Sequence, residues 1–393
     1  MRNRVYIAVN GIGLGHARRS LRIGSKLRES SDVVFSTYRN TPAADYLKRK
    51  GMKVIELQEL SWAQADDGGL DVPKTLLKTP FGAGVSIYHL LAEYYLVRKI
   101  NPKVIISDMR AAPIMVSKQL NIPCFMLGLF FNLKREVDSF FMRQPARLLG
   151  GFLKKLAKSC VKTFITDFPL PYTIYRRVLP DTLPKNFVFT GPIINEGLER
   201  AIQDRDVEEV KNESKEKLGI SNNQRVILFI PSGVKKSRGK FFMDFMSMIS
   251  EFKEMRNVKF IFSRAMPELP MRRYRIRNIE VWNWIPDLTN YLLAADIIVG
   301  YYGMNKVFDA IASGSIFLGF VAKNQIEQKA LAQRIVELGL GLILNDLQTD
   351  LIKAINIVLS DEKYRRNVLF FAEKAKQYRP IETIIKYIAP FLE

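Results

Sequence analysis

The chain has 393 residues, enough for two domains of ordinary size, and its 48% hydrophobic content can fill a core in each, which excludes wholesale disorder. Two cysteines, Cys124 and Cys160, exclude a disulfide framework and fit a reduced, cytoplasmic setting, while apolar runs such as 123–131 are far too short to cross a bilayer. The net charge of +21 leaves nucleic acid, anionic lipid and phosphorylated substrates open as partners until its location is known.

Residues 1–14 carry basic residues and then an apolar run, the start of a signal-peptide pattern. Asn10 and three glycines break that run, and His16, Arg18 and Arg19 follow with no small-residue cleavage site, so it reads as a buried first strand. Apolar runs then recur at 5–9, 33–37, 54–57, 104–106, 125–129 and 163–165, with helical patterns between them. A second series runs through 226–230, 258–262, 279–282, 297–300, 316–321 and 340–344. Continuous apolar strands alternating with helices predict parallel sheets covered on both faces. Two series predict two tandem Rossmann-like α/β domains, 1–185 and 186–375, joined through a stretch holding Pro180, Pro184, Gly191 and Pro192. Residues 376–393 read as a closing helix that could return to the N-terminal domain. Ligands of such sheets bind beyond the carboxyl ends of the strands, so a cleft between two facing sheets is the expected active site.

The first strand runs into Gly11-Ile12-Gly13-Leu14-Gly15-His16. Glycines at a strand-to-helix turn let the backbone approach a ligand, and the helix start favours an anion. A dinucleotide fingerprint would need glycine where His16 stands and an acid after the second strand, which ends Ser36-Thr37-Tyr38-Arg39. Gly13, Gly15 and His16 therefore read as an acceptor-side turn with a candidate general base, since imidazole exchanges protons near neutral pH. The plainer reading is a satisfied polar group in a turn. Asp108 ends the strand at 104–107 and can orient His16 at the same sheet edge; it can equally cap the helix that begins near Ala111. Asp32 precedes its strand and falls at the opposite edge.

A second constellation lies at 296–328. After a strand come Gly303-Met304-Asn305, a helix carrying Asp309, another strand, and Asn324, Gln325 and Gln328. The turn offers backbone N–H groups to a diphosphate, Asp309 can accept from ribose hydroxyls, and the amides suit a sugar. The plainer reading is an ordinary doubly wound domain. Ser232 and Gly233 follow another strand and are followed by a basic cluster, Lys235, Lys236, Arg238 and Lys240, which can approach a diphosphate or only be solvated.

In this order and spacing, together with the turn ending in His16 and with Trp284-Ile285-Pro286-Asp287-Leu288 before Leu292-Leu293-Ala294-Ala295-Asp296, the chain resembles glycosyltransferases of the GT-B fold over nearly its whole length. It looks most like family 28, which includes the enzyme adding N-acetylglucosamine to the lipid-linked peptidoglycan precursor; relatives build dolichol-linked chitobiose. The resemblance implies a UDP-sugar donor, with N-acetylglucosamine or another hexose, and inverting transfer to a polyprenyl- or other lipid-linked acceptor. It assigns the base to the backbone of Ile285, the diphosphate to Gly303, Met304 and Asn305, ribose to Asp309, and the donor sugar to Asn324 and Gln325. The family has glutamate where Asp309 stands, an acid where Asn324 stands, and Gly-Gly-Ser where this chain has Pro231-Ser232-Gly233. It works without a metal-chelating motif or a cofactor, and none is visible here.

Residues 139–166 hold no acid. Lys154, Lys155, Lys158 and Lys162 lie opposite a stripe of Leu149, Phe152, Leu153, Leu156 and Cys160. This is the pattern of a helix on an anionic membrane surface, or of a surface helix with its stripe on the core. No zinc spacing or RNA-binding aromatic motif supports nucleic acid. The expected placement is cytoplasmic and peripheral. The rival functions are a nucleotide-sugar epimerase or hydrolase of the same fold, and a non-catalytic binder of nucleotide-sugar or anionic lipid.

Overall fold

A computed structural model describes residues 2–11, 14–58, 79–128, 132, 140–231, 235–266, 269–322 and 325–393. The chain forms two compact units. One holds the first half of the chain to Ile193 together with Arg379–Glu393, and the other spans Ile194–Tyr378.

The first unit contains β1 (Arg4–Val9), α1 (Leu14–Leu27), β2 (Asp32–Tyr38), α2 (Pro42–Arg49), β3 (Lys53–Leu57), α3 (Thr79–Ile100), β4 (Val104–Asp108), α4 (Ala111–Gln119), β5 (Cys124–Leu127), α5 (Phe140–Ser159), β6 (Lys162–Ile165) and β7 (Phe187–Phe189). Its seven strands lie in the order β3-β2-β1-β4-β5-β6-β7, and all pairs are parallel. The β1, β4 and β5 side chains are almost wholly buried, as strands covered on both faces must be. Helix α1 lies so close to the sheet that a Cβ at Gly24 would sit 2.3 Å from the Phe35 ring.

Helix α15 (Pro380–Ile388) completes this unit. Ile381, Ile384 and Ile388 recur at helical spacing and enter the same core as Leu21, Leu27, Val33 and Phe35. Burying each isoleucine stabilises by about 1.5–3 kcal/mol, as an upper figure.

The second unit contains α6 (Glu196–Ile202), α7 (Val207–Lys217), β8 (Arg225–Phe229), α8 (Lys235–Ser247), α9 (Ile249–Glu254), β9 (Val258–Ser263), β10 (Arg273–Ile276), β11 (Ile279–Trp282), α10 (Thr289–Ala294), β12 (Ile297–Tyr301), α11 (Met304–Ala312), β13 (Ile316–Phe320), α12 (Ile326–Glu337), β14 (Gly341–Ile343), α13 (Leu347–Ser360) and α14 (Glu362–Lys376). Its sheet runs β10-β11-β9-β8-β12-β13-β14, parallel except for β10. Phe229, Phe245, Phe252, Phe260 and Phe262 fill its centre, with ring centroids as close as 4.3 Å.

Each sheet thus has one strand more than the apolar runs predict. β7 is three residues long inside the proline-bearing junction. β10, Arg-Tyr-Arg-Ile, is an exposed antiparallel edge strand whose arginines reach the buried Glu280, so it lacks the apolar signature of a central strand. Asp296 stands before β12, at the amino end of that strand. It accepts from Lys215 at 3.0 Å and from the Val226 backbone at 2.8 Å, anchoring α7 to the sheet.

Candidate functional site

Each sheet has a point at which the parallel crossovers set off in opposite directions, between β1 and β4 and between β8 and β12; the β10–β11 hairpin at the edge of the second sheet turns back only locally. At such a point the neighbouring crossover helices lie on opposite faces, which leaves the carboxyl ends of the two strands open to a ligand.

At the first switch point, Val9 of β1 pairs with Asp108 of β4. Helix α1 begins at Leu14, so Gly15 and His16 stand in its first turn. His16 Nδ1 lies 2.8 Å from Asp108 Oδ1. The carboxylate draws the proton onto Nδ1, so Arg19 Nη2, at 2.9 Å from the same nitrogen, cannot also donate to it. That leaves Nε2 with a lone pair on a side chain 20% exposed. Asp108 is wholly buried and also accepts from Arg19 Nε at 2.8 Å, Arg19 Nη2 and Ser20 Oγ at 3.0 Å. Burial alone would raise its pKa, but the Arg19 guanidinium and His16 outweigh that and hold it well below the usual carboxylate range.

The sequence leaves Asp108 open between orienting His16 and capping α4. The structure excludes the cap. Arg110 is the N-cap residue, and Ser107 Oγ, not Asp108, accepts the Arg110 N–H at 3.2 Å. Arg19 and Ser20 are the partners that the sequence reading misses. The spacing held a signal for them, because residues 16, 19 and 20 share one face of a helix.

At the second switch point, Gly303 is the N-cap of α11 and supplies no side-chain acceptor. Met304 and Asn305, expected in a turn, form the first turn of the helix itself. Ile285 is 2% exposed and follows β11 at its carboxyl end. Asp309 is 4% exposed and its Oδ1 accepts the Asn195 N–H at 2.6 Å, which ties α11 to the segment entering α6. This anchoring was not expected from sequence. Gln325 is the N-cap of α12, and Gln328 Oε1 accepts the Ala322 N–H at 2.8 Å, so it closes the loop after β13. Gly13, Ser232, Gly233 and Asn324 lie outside the described residues. Lys306, which the sequence reading passes over, is the third residue of α11, with its Nζ 3.4 Å from the carbonyl of Ile230.

The expected stripe on α5 divides. Leu156 is buried, while Leu149 and Phe152 are exposed, as are Leu148, Lys155 and Lys158, and Lys154 is half-buried; Cys160, buried, and Lys162, half-buried, are not on the helix, which ends at Ser159, and Lys162 begins β6. Ile87, Leu91 and Tyr95 form a second exposed apolar row on α3, and α4 packs against both α3 and α5. No helix among the described residues is long and apolar enough to cross a membrane, and no cluster of three or more His, Cys, Asp or Glu among them could hold a metal ion.

No protein-family model matches the chain. It is similar to an uncharacterized glycosyltransferase of Methanosarcina mazei, at 24% identity, covering 93% of this chain and 92% of the relative. Among solved structures it resembles Acinetobacter baumannii MurG, at 12% identity and TM-score 0.60, covering 99% of this chain and 100% of MurG. It also resembles the spinosyn rhamnosyltransferase SpnG complexed with thymidine diphosphate, at 12% identity and TM-score 0.61, covering 98% of this chain and 99% of SpnG. The fold is therefore that of the GT-B glycosyltransferases, and the relatives' names support a glycosyltransferase.

Proposed function

We propose that the chain transfers a glycosyl group from a nucleoside-diphosphate sugar to an acceptor hydroxyl, with His16 as the base. The His16–Asp108 contact at the first switch point carries this reading, because it couples a tautomer-fixing carboxylate to an imidazole whose Nε2 can accept a proton. In a single inverting displacement, the acceptor oxygen bonds to the anomeric carbon as the bond to the diphosphate breaks. The acceptor proton passes to Nε2, and Asp108 stabilises the resulting imidazolium. Ile285, Gly303, Met304 and Asn305 serve the nucleotide and diphosphate, Asp309 the ribose, and Gln325 the sugar; these roles rest on resemblance.

The donor base is uracil or thymine. The first follows from the resemblance to family 28; the second is supported by the thymidine diphosphate complex of SpnG. The acceptor we propose is lipid-linked, met at the cytoplasmic face of the membrane by the exposed Leu148, Leu149 and Phe152 beside Lys155 and Lys158. A small soluble acceptor is the second reading, supported by the likeness to a rhamnosyltransferase of spinosyn.

The test is a panel of UDP- and TDP-sugars, followed first by thermal shift and then by release of nucleoside diphosphate with and without lipid extract. A donor that binds only the folded state must raise the melting midpoint. A panel in which no nucleotide-sugar shifts the midpoint sinks the donor reading. Release that is the same with and without lipid extract removes the lipid acceptor.

A further inference from the structure

We infer that Thr37 and His89 hold the hydroxyl groups of a sugar acceptor; the inference rests on the transfer reading above and names the class of its acceptor. Beside the carboxyl end of β2, Thr37 Oγ1 and both ring nitrogens of His89 lack a hydrogen-bond partner among the described residues. Thr37 is wholly buried and His89 is 4% exposed. Buried polar groups are ordinarily paired, so these atoms mark a place where a ligand or a bound water belongs.

Register puts Thr37 beside the candidate base. Ser36 pairs with Ala8, and the next residue of β1, Val9, pairs with Asp108. Thr37 is therefore level with Asp108, two strands away, and side chains at one level of a parallel sheet share a face. On that face Asp108 meets His16, Arg19 and Ser20 of α1. Tyr38 points to the opposite face, where His89 of α3 lies against its ring, with centroids 5.2 Å apart. Gly11 joins the two faces. A Cβ there would come 2.8 Å from Tyr38 Cδ2 and 3.3 Å from Thr37 Oγ1, so the chain leading to His16 passes bare over the end of β2.

The chemistry of the pair sets the ligand. A threonine hydroxyl both donates and accepts. His89 is neutral: burial and the Arg110 charge outweigh a weaker favourable contribution from the Gln58 backbone and lower its pKa to about 4. A neutral imidazole also carries one donor and one acceptor. A carboxylate or a phosphodiester can accept from both residues and donate to neither, and an ammonium does the reverse. Hydroxyl groups do both, and two partners on two faces ask for more than one hydroxyl. A sugar ring supplies them where a simple alcohol does not. In the transfer, Thr37 and His89 hold hydroxyls that do not react, and the reacting hydroxyl faces His16.

The chain has two histidines, His16 and His89, so labelled imidazole nitrogens are assigned in NMR spectra by comparison with His16→Ala. The probe is octyl β-glucoside below its micellar concentration, with octanol as the simple alcohol. The glucoside should move the His89 nitrogen resonances saturably, and octanol should leave them in place. Thr37→Val keeps the shape and should weaken the glucoside by about five- to tenfold, the scale of one lost hydrogen bond, while Thr37→Ser should bind it as the parent does. His89→Phe, followed by saturation transfer to the glucoside, should lose at least as much. His89 resonances that the glucoside leaves unmoved, or moves only as octanol does, overturn the inference, and a bound water then serves these groups. A folded Thr37→Val protein that binds the glucoside as the parent does overturns it as well. The parent's spectra decide even where a variant does not fold. Failure of the donor panel beside a moving His89 resonance removes the transfer reading alone. A working panel beside silent His89 resonances removes only the sugar acceptor.

Discussion

The two switch points share a topology and differ in chemistry. Between β1 and β4 an acid lies at the end of a strand, and it gathers His16, Arg19 and Ser20 from one helix face. Between β8 and β12 the corresponding space is left by a glycine, and a lysine folds into it. The first arrangement sets a buried carboxylate against one ring nitrogen of an imidazole. The second presents positive charge and a helix start. In the proposed transfer one scaffold serves proton transfer at the first switch point and nucleotide binding at the second, and the difference lies in the residues that stand at and near the strand ends. Fold alone does not announce either task.

The sharpest way to break this comparison is at His16. His16→Ala should lower turnover by about 10²–10⁴-fold, the usual scale of general base catalysis, while nucleotide affinity stays at the parent's value. Turnover is read as nucleoside diphosphate released from the best donor of the panel. A variant that turns over normally removes His16 from the chemistry.

Asp108→Ala should be nearly as severe, but in stability. It leaves the Arg19 guanidinium buried without its partner, which costs about 3–5 kcal/mol in comparable cases. Urea unfolding measures it. The pH dependence has a fixed sign. The folded-state pKa of Asp108 lies below the unfolded value, so its contribution is complete above about pH 4 and is lost as pH falls further. Asp108→Asn should therefore flatten the acid limb of the stability curve. An unchanged acid limb means that the buried pair is not what acid breaks.

At the second switch point, Asp309→Ala should weaken UDP and TDP by about 1.5–3 kcal/mol if a charged hydrogen bond to ribose is lost. The bond from Asn195 adds a stability effect, so calorimetry and melting must be read together. Lower stability with unchanged affinity would make Asp309 an anchor only. The acid limb that Asp108 controls should not move in this variant.

The smallest effect concerns α5. Replacing Lys154, Lys155, Lys158 and Lys162 with glutamine should reduce cosedimentation with anionic vesicles at low salt. The loss should fade at higher salt, where screening over about 10 Å already weakens the attraction. Leu148→Ser with Phe152→Ser should remove the salt-resistant remainder. If the quadruple variant binds vesicles as the parent does, α5 is not the membrane contact.

The central strands were legible because each is a continuous apolar run between helical patterns, and the glycine turns marked where two of them end. The junction strand β7 and the basic edge strand β10 were not, since neither buries an apolar face. That His16 and Asp108 share one sheet edge was legible from strand ends, because parallel strands bring residues distant in sequence together there, but the choice between their contact and a cap on α4 was not. Lys306 was not. Its position depends on a side chain bending back over a glycine in the preceding strand, a path that neither spacing nor charge pattern encodes. The α5 stripe was legible only in part. Periodicity reports which residues share a face, not how wide a face the core covers, and Leu149 and Phe152 fall outside the covered part.

The placement of α15 has a consequence for the order of assembly. Ile381, Ile384 and Ile388 belong to the core of the unit that begins with β1. On a ribosome that core must wait for residues made after the second unit, whose described residues run from Ile194 to Tyr378 and can close first. Sequence separation of this size slows the final docking step. Pulse-labelled nascent chains ending near residue 378 should show the second unit already resistant to protease and the first still open.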